Sequence, residues 1–120
     1  MKKFLLLSAM LAIASPAVWA KSDQAILNEA KNNVTTIAQA HKMKDETGVT
    51  LTGQIVRQLK AGGDDFELKD NSGSIIIDVD DELWKPIQLK AGDRVRVLGE
   101  VDTHRNKPTD IEVIQIERIK

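Results

Sequence analysis

Two runs of side chains in this chain could do chemistry. The first is Asp78-Val79-Asp80-Asp81-Glu82, where four carboxylates fall within one short stretch. Hard cations such as calcium are held by several carboxylate and carbonyl oxygens at once, so Asp78, Asp80, Asp81 and Glu82 form a candidate divalent-cation site. The run lacks the glycine and spacing of an EF-hand loop, and alternation along a strand lets Asp78 and Asp80 converge while Asp81 points away. The plainer reading is a solvated strand end leading into a helix cap. The second run is Asp102-Thr103-His104-Arg105-Asn106-Lys107-Pro108, whose histidine sits among charges of both signs and reads as part of a solvated loop. His41 has no second ligand near it and reads as a surface residue. Nothing pairs a nucleophile with a base, and there is no Gly-rich phosphate loop or dinucleotide fingerprint. Cysteine is absent, which removes thiolate metal ligands and disulfides. The expectation is a protein without catalytic residues and without a cofactor.

The elements that must position these residues are marked by a pattern that occurs twice, Val49-x-Leu51-x-Gly53-x-Ile55 and Val95-x-Val97-x-Gly99-x-Val101. Apolar alternation turns one face of each strand to a core, and a glycine inside a strand marks a bend, a bulge or a close backbone approach. Strongly bent strands belong to small closed barrels. Five strands are predicted: Val49 to Leu59, Phe66 to Lys69, Ile75 to Val79, Arg94 to Val101 and Asp110 to Ile119. Ala61-Gly62-Gly63-Asp64 and Asn71-Ser72-Gly73 supply hairpin turns, and Ala91-Gly92-Asp93 introduces the fourth strand. The phase of the first strand would turn Arg57 inward, so a register shift is expected after Gly53. In the last strand Ile111 and Val113 oppose Ile114 and Ile116 in phase, which predicts a second bulge. Five strands with an insert between the third and fourth is the order of the OB-fold, a Greek-key barrel. The predicted class is all-β with a short N-terminal helix, Phe66 in the core and Leu83 with Trp84 closing the open end.

Upstream, Lys2 and Lys3 precede the apolar run Phe4 to Ile13 and a small-residue stretch ending Val18-Trp19-Ala20. That is the pattern of a secretory signal peptide over residues 1–20, cleaved between Ala20 and Lys21. The apolar run is far shorter than the roughly 20 residues of a spanning helix. A periplasmic product without stable membrane insertion is expected. Residues 21–35 make a polar arm in which Ala25, Ile26, Glu29 and Ala30 leave a weak helix or an unstructured segment open. Thr36-Ile37-Ala38-Gln39 matches a capping box, predicting a helix from Ile37 to about Lys44 that lays Ile37, Ala40 and Met43 on the barrel. The OB-fold domain is assigned to residues 36–120. All 18 Asp and Glu lie beyond the leader while Lys2 and Lys3 leave with it, so net charge falls from −1 to −3. Nucleic acid, bound through Lys and Arg at phosphates, is a poor partner for that balance. Only Phe66 and Trp84 remain as aromatics, too few for base stacking along a groove.

On strand three Ile76 is out of phase with Ile75 and Ile77 and points outward, in the middle of the usual OB binding face. Glu67, Lys69 and Asp78 flank it, Trp84 lies at the barrel end, and Arg105 stands on the loop bordering the face. These six are the candidate ligand-binding residues. Their mixture of apolar and charged groups suits a small ligand, a glycan, a peptide or an envelope protein.

From Thr36 to its C-terminus the chain resembles the bacterial OB-fold (BOF) family, of the YgiW/YdeI type. The resemblance rests on Thr36-Ile37-Ala38-Gln39-Ala40, on Val49-Thr50-Leu51-Thr52-Gly53-Gln54-Ile55-Val56, and on Phe66-Glu67-Leu68-Lys69-Asp70 followed by Gly73. It continues through Ile77-Asp78-Val79-Asp80-Asp81 with Trp84, Gly99-Glu100-Val101-Asp102 and Ile111-Glu112-Val113. Departures fall in loops, at Lys85-Pro86 and at His104 to Pro108. The resemblance implies an exported, non-enzymatic OB-fold protein of the Gram-negative periplasm with a role in envelope or oxidative stress tolerance. The alternatives are a divalent-cation binder built on Asp78 to Glu82 and a protein-interaction domain using the Ile76 face.

Overall fold

The structure is a computed structural model and describes residues 20–120. Residues 1–19 of the expected leader, 1–20, lie outside them, and its last residue, Ala20, is exposed. Strands β1 (Gly48–Gln58), β2 (Asp65–Asp70), β3 (Gly73–Asp78), β4 (Arg94–Asp102) and β5 (Asp110–Arg118) close a barrel in the order β1-β2-β3-β5-β4. All neighbours are antiparallel except β3 and β5, which run parallel, the closure of the OB-fold that the strand order predicts. The period-two residues fill the interior. Val49, Leu51 and Ile55 meet Phe66, Leu68, Ile75, Ile77, Val95, Val97, Val101, Ile111 and Val113 in one core.

Closure at this small radius brings strand backbones close together where a side chain would block them. A Cβ added at Gly53 would collide with the Lys69 carbonyl, and one at Gly99 with the Glu112 carbonyl. Both expected irregularities are present. Val56 is the extra residue between the pairs Ile55↔Leu68 and Arg57↔Glu67, and it turns Arg57 outward to bond Glu67 at 2.8 Å. Ile114 is the extra residue between Val113↔Gly99 and Gln115↔Leu98, so that Val113 and Ile116 both reach the core despite their opposite phase.

The stretch left open between helix and arm contains helix α1 (Asp23–Lys31), started by Ser22, whose Oγ accepts from the Ala25 amide at 3.1 Å. Ile26 and Ala30 are fully buried against the outside of the barrel. The Thr50 hydroxyl donates to the Ala30 carbonyl at 2.7 Å, and Glu29 accepts from the Gly48 amide at 3.0 Å. That amide, with Lys21 in second place, lowers the Glu29 carboxyl below its usual range. Gly48 makes the approach possible, because a Cβ there would sit 2.5 Å from the Ile26 carbonyl. The folded unit thus begins before residue 36.

Helix α2 (Ile37–Ala40) is shorter than the sequence predicts, giving way to turns at His41. Thr36 accepts from the Gln39 amide as expected, but the Gln39 side chain meets the Thr35 hydroxyl instead of reaching back to Thr36. The remaining N-terminal amides are satisfied from the β2–β3 turn, Ile37 by Asp70 at 3.0 Å and Ala38 by Ser72 at 2.9 Å. Burial works to raise the Asp70 carboxyl, yet the Ser72 hydroxyl and the amides of Ile37, Ser72 and Gly73 outweigh it and hold it low. Helix α3 (Asp81–Trp84) plugs the barrel end. Its Trp84 stands edge-on to Phe66 at 5.6 Å and donates from Nε1 to Asp64 at 2.9 Å. Among the described residues no helix is long and apolar enough to cross a membrane.

Candidate functional site

Helix α1 covers the outside of β1 and β4, where Thr50 and its register partner Leu98 are both buried. The exposed outer face is therefore that of β2, β3, β5 and the far end of β4. Two registered rows cross it. One runs Asp65↔Asp78↔Glu112↔Glu100, four carboxylates on four adjacent strands. The next runs Glu67↔Ile76↔Asp110↔Asp102. Residues directly opposite on one face have Cβ atoms about 5 Å apart, and like charges there repel. Among the described residues no ion pair neutralises Asp65, Asp78, Glu100 or Glu112.

Two carboxyls of the row are held above their usual range. Partial burial, then Asp65, Asp80, Glu112 and Asp64, push the Asp78 carboxyl up to about 6. Burial, then Glu112 and Glu46, push Glu100 up to about 7. Both groups lose water on one side and gain only negative neighbours on the other.

The acidic string is divided by the fold. Asp78 and Asp80 converge as expected, but their third partner is Asp64 from the β1–β2 loop, with one carboxylate oxygen from each lying within 4.8 Å of the others. Asp80 occupies the N-cap position of α3 yet makes no side-chain cap bond, so its carboxylate stays with the cluster. Asp81 lies against Asp64 and pairs with Lys85 at 3.1 Å, and these two contacts, Asp64 first, hold its carboxyl below the usual range. Glu82 faces an adjoining hollow of ≈430 Å³, which Asp23, Asp80, Glu100 and Glu112 also line together with Leu83, Val113 and Ile114.

Of the six candidate ligand-binding residues, Glu67, Ile76 and Asp78 share the exposed face, with Ile76 half-buried between Glu67 and Asp110. Lys69 lies further along β2 beside a second hollow that includes Gln54 and Arg94. Trp84 is half-buried against the core as a plug, and Arg105 is exposed on the loop. Sequence reasoning missed Asp64, Glu100 and Glu112, which join the face only through strand register. It also set aside His104, whose Nε2 lies 3.1 Å from Asp110 and 3.6 Å from Asp102.

Residues 14–118 match the family described as "Bacterial OB fold (BOF) protein". The chain belongs to this bacterial OB-fold family. It is similar to Protein YgiW of Escherichia coli K12, at 32% identity over 99% of this chain and 98% of that protein. It is also similar to the calcium-regulated OB-fold protein CarO of Pseudomonas aeruginosa, 34% identical over 72% of this chain and 74% of the relative. Neither name is that of an enzyme. The solved structure of the E. coli YgiW protein superposes with a TM-score of 0.65 at 37% identity, covering 72% of this chain and 90% of that one. The telomere capping protein Ten1 of Schizosaccharomyces pombe superposes at 0.54 with 16% identity, covering 72% and 79%, a likeness of fold alone.

Proposed function

We propose that the processed chain is a non-catalytic binding module of the periplasm, acting in tolerance of envelope or oxidative stress, and that its ligand is cationic. The observation that carries this reading is the row Asp65, Asp78, Glu112 and Glu100, registered across four strands without a counter-ion among the described residues. Like charges in register weaken a sheet, so a bound cation gains affinity from repulsion that the empty face sustains. A hard divalent ion bridging Asp64, Asp78 and Asp80 is the simplest occupant, since every donor there is a carboxylate oxygen. The Pseudomonas relative is named as calcium-regulated, which is the reason calcium is tested first. A nucleic-acid strand would meet acids where it needs bases and stacking aromatics. Export is supported by the leader pattern, and mass spectrometry of the exported protein should find Lys21 at its N-terminus. The stress role rests on family membership.

Thermal shift and calorimetry of the exported protein with calcium and magnesium chloride test the ligand class. Saturation near a hundred times Kd adds about 2.7 kcal/mol of stability, so an upward shift of several degrees is expected. Asp78→Asn should weaken binding at least tenfold. An unmoved melting temperature in millimolar cation, together with stabilisation by a neutral glycan, would overturn the reading.

A further inference from the structure

We propose that Asp102, His104 and Asp110 hold a divalent transition ion of the zinc class at the mouth of the β4–β5 loop. Asp102 ends β4, Asp110 opens β5, and the two are direct register partners, so the strands themselves fix both carboxylates side by side. The loop between them begins with the Thr103 amide tied to the Asp45 carboxylate at 2.8 Å. That anchor turns the chain so that the next residue, His104, lies over the pair. Its Nε2 is 3.1 Å from an Asp110 oxygen and 3.6 Å from an Asp102 oxygen.

The arrangement is short of positive charge. Nε2 of His104 can carry only one proton, which can serve the nearer carboxylate but not the other, since 3.6 Å is beyond hydrogen-bond length. A dication in place of that proton satisfies all three groups at once. The spacing also fits. Zinc holds nitrogen and oxygen ligands at about 2.0–2.1 Å in tetrahedral geometry, which sets ligand-to-ligand edges at about 3.3 Å. The two separations from Nε2, 3.1 and 3.6 Å, lie on either side of that value.

Ligand type then selects the ion. Imidazole favours zinc, copper and nickel over calcium and magnesium, which prefer all-oxygen sites. The Asp64, Asp78 and Asp80 cluster has no nitrogen donor, so the two sites differ in class although they share one face. Side-chain exposures of 14% for Asp110, 23% for His104 and 40% for Asp102 leave a fourth position open to water.

The test uses the exported protein after chelator treatment, titrated with zinc by calorimetry and with cobalt by visible absorption. One equivalent of cobalt should give the intense bands of a low-coordinate ion. His104→Asn and Asp102→Asn should each abolish those bands and weaken zinc binding at least a hundredfold, with urea melts confirming that both variants are folded. Asp78→Asn should leave zinc affinity within threefold of wild type. The proposal fails if His104→Asn binds zinc as wild type does, if cobalt remains six-coordinate, or if Asp78→Asn alone removes zinc binding. Loss of calcium binding in Asp78→Asn with zinc unaffected would separate this site from the carboxylate cluster.

Discussion

Replacing Glu100 by glutamine should make the protein more stable at pH 8 and leave it unchanged near pH 4. Glu100 faces Glu112 across the β4–β5 pair and is raised by burial and by its acidic neighbours from an ordinary 4.5 to about 7. Between those two values the folded chain holds a proton that the unfolded chain has released. Stability therefore falls as pH rises through that window. One pKa unit corresponds to about 1.36 kcal/mol, so the full shift would amount to about 3.4 kcal/mol. Glu100 is only partly buried, and solvent screening reduces the expected difference to about 1–2 kcal/mol. Glutamine keeps the shape and can donate to Glu112, so the change removes charge with little loss of packing. For a domain of this size each kcal/mol moves the melting temperature by about 4–8 °C. Urea and thermal melts of both proteins with a chelator present, at pH 4, 6 and 8, should show curves that coincide at the acid end and separate progressively above it. Raising salt to about 1 M shortens the screening length to about 3 Å and should narrow the gap. A variant no more stable than wild type at pH 8 would refute the idea that the row repels itself.

Gly53→Val and Gly99→Val should each lose about 2 kcal/mol or more, because the added atoms meet carbonyls of the neighbouring strand and not a yielding side chain. Denaturant melts placing both within about 0.5 kcal/mol of wild type would contradict the close-approach account. Asp93, buried and bonded by Arg118 at 2.8 Å and by the Lys90 amide at 2.9 Å, is held down to about 2, by Arg118 above all. Asp93→Ala should cost about 1–3 kcal/mol at pH 7 and little at pH 2, since the contribution disappears as pH falls from about 4 through 2; equal losses at both pH values would count against it. The exported protein should show no affinity for single-stranded DNA at near-physiological salt by fluorescence anisotropy, and binding that survives that salt would reopen the nucleic-acid reading.

Strand positions were legible because their signals are local. Alternation identified the inward residues, and the two strand glycines and two phase breaks marked the close approaches and the bulges. Helix α1 stayed open between helix and arm, because its buried stripe is only Ile26 and Ala30 and the partner that admits it, Gly48, is recognisable only once the helix is beside it. The site was harder still. Asp78 and Glu112 are far apart in sequence and meet through the parallel β3–β5 pair, whose register is set by closure of the whole barrel. Asp64 reaches Asp78 because the loop ahead of β2 lies beside the end of β3, an arrangement confirmed by the Val79 amide bonding the Asp64 carbonyl at 2.8 Å. The contact of His104 with Asp110 was hidden for the same reason, since Asp110 lies on the far side of the loop.

The same barrel that offers a face to oligonucleotides in other OB-folds here offers one covered in carboxylates. The fold does not require that choice. Arg57 pairs Glu67 in the neighbouring row and Arg96 pairs Glu117 between β4 and β5, so cross-strand charges can be matched on this scaffold. Along the β2-β3-β5-β4 row they are not, and a single change such as Glu112 to lysine would supply a cation between Asp78 and Glu100. A sheet that leaves four acids in register gives up stability that one substitution could recover, and natural proteins accept such losses chiefly where a site must meet its ligand. Strand register therefore argues for the proposed binding face more sharply than fold likeness does, because likeness supplies the scaffold and register supplies the charge.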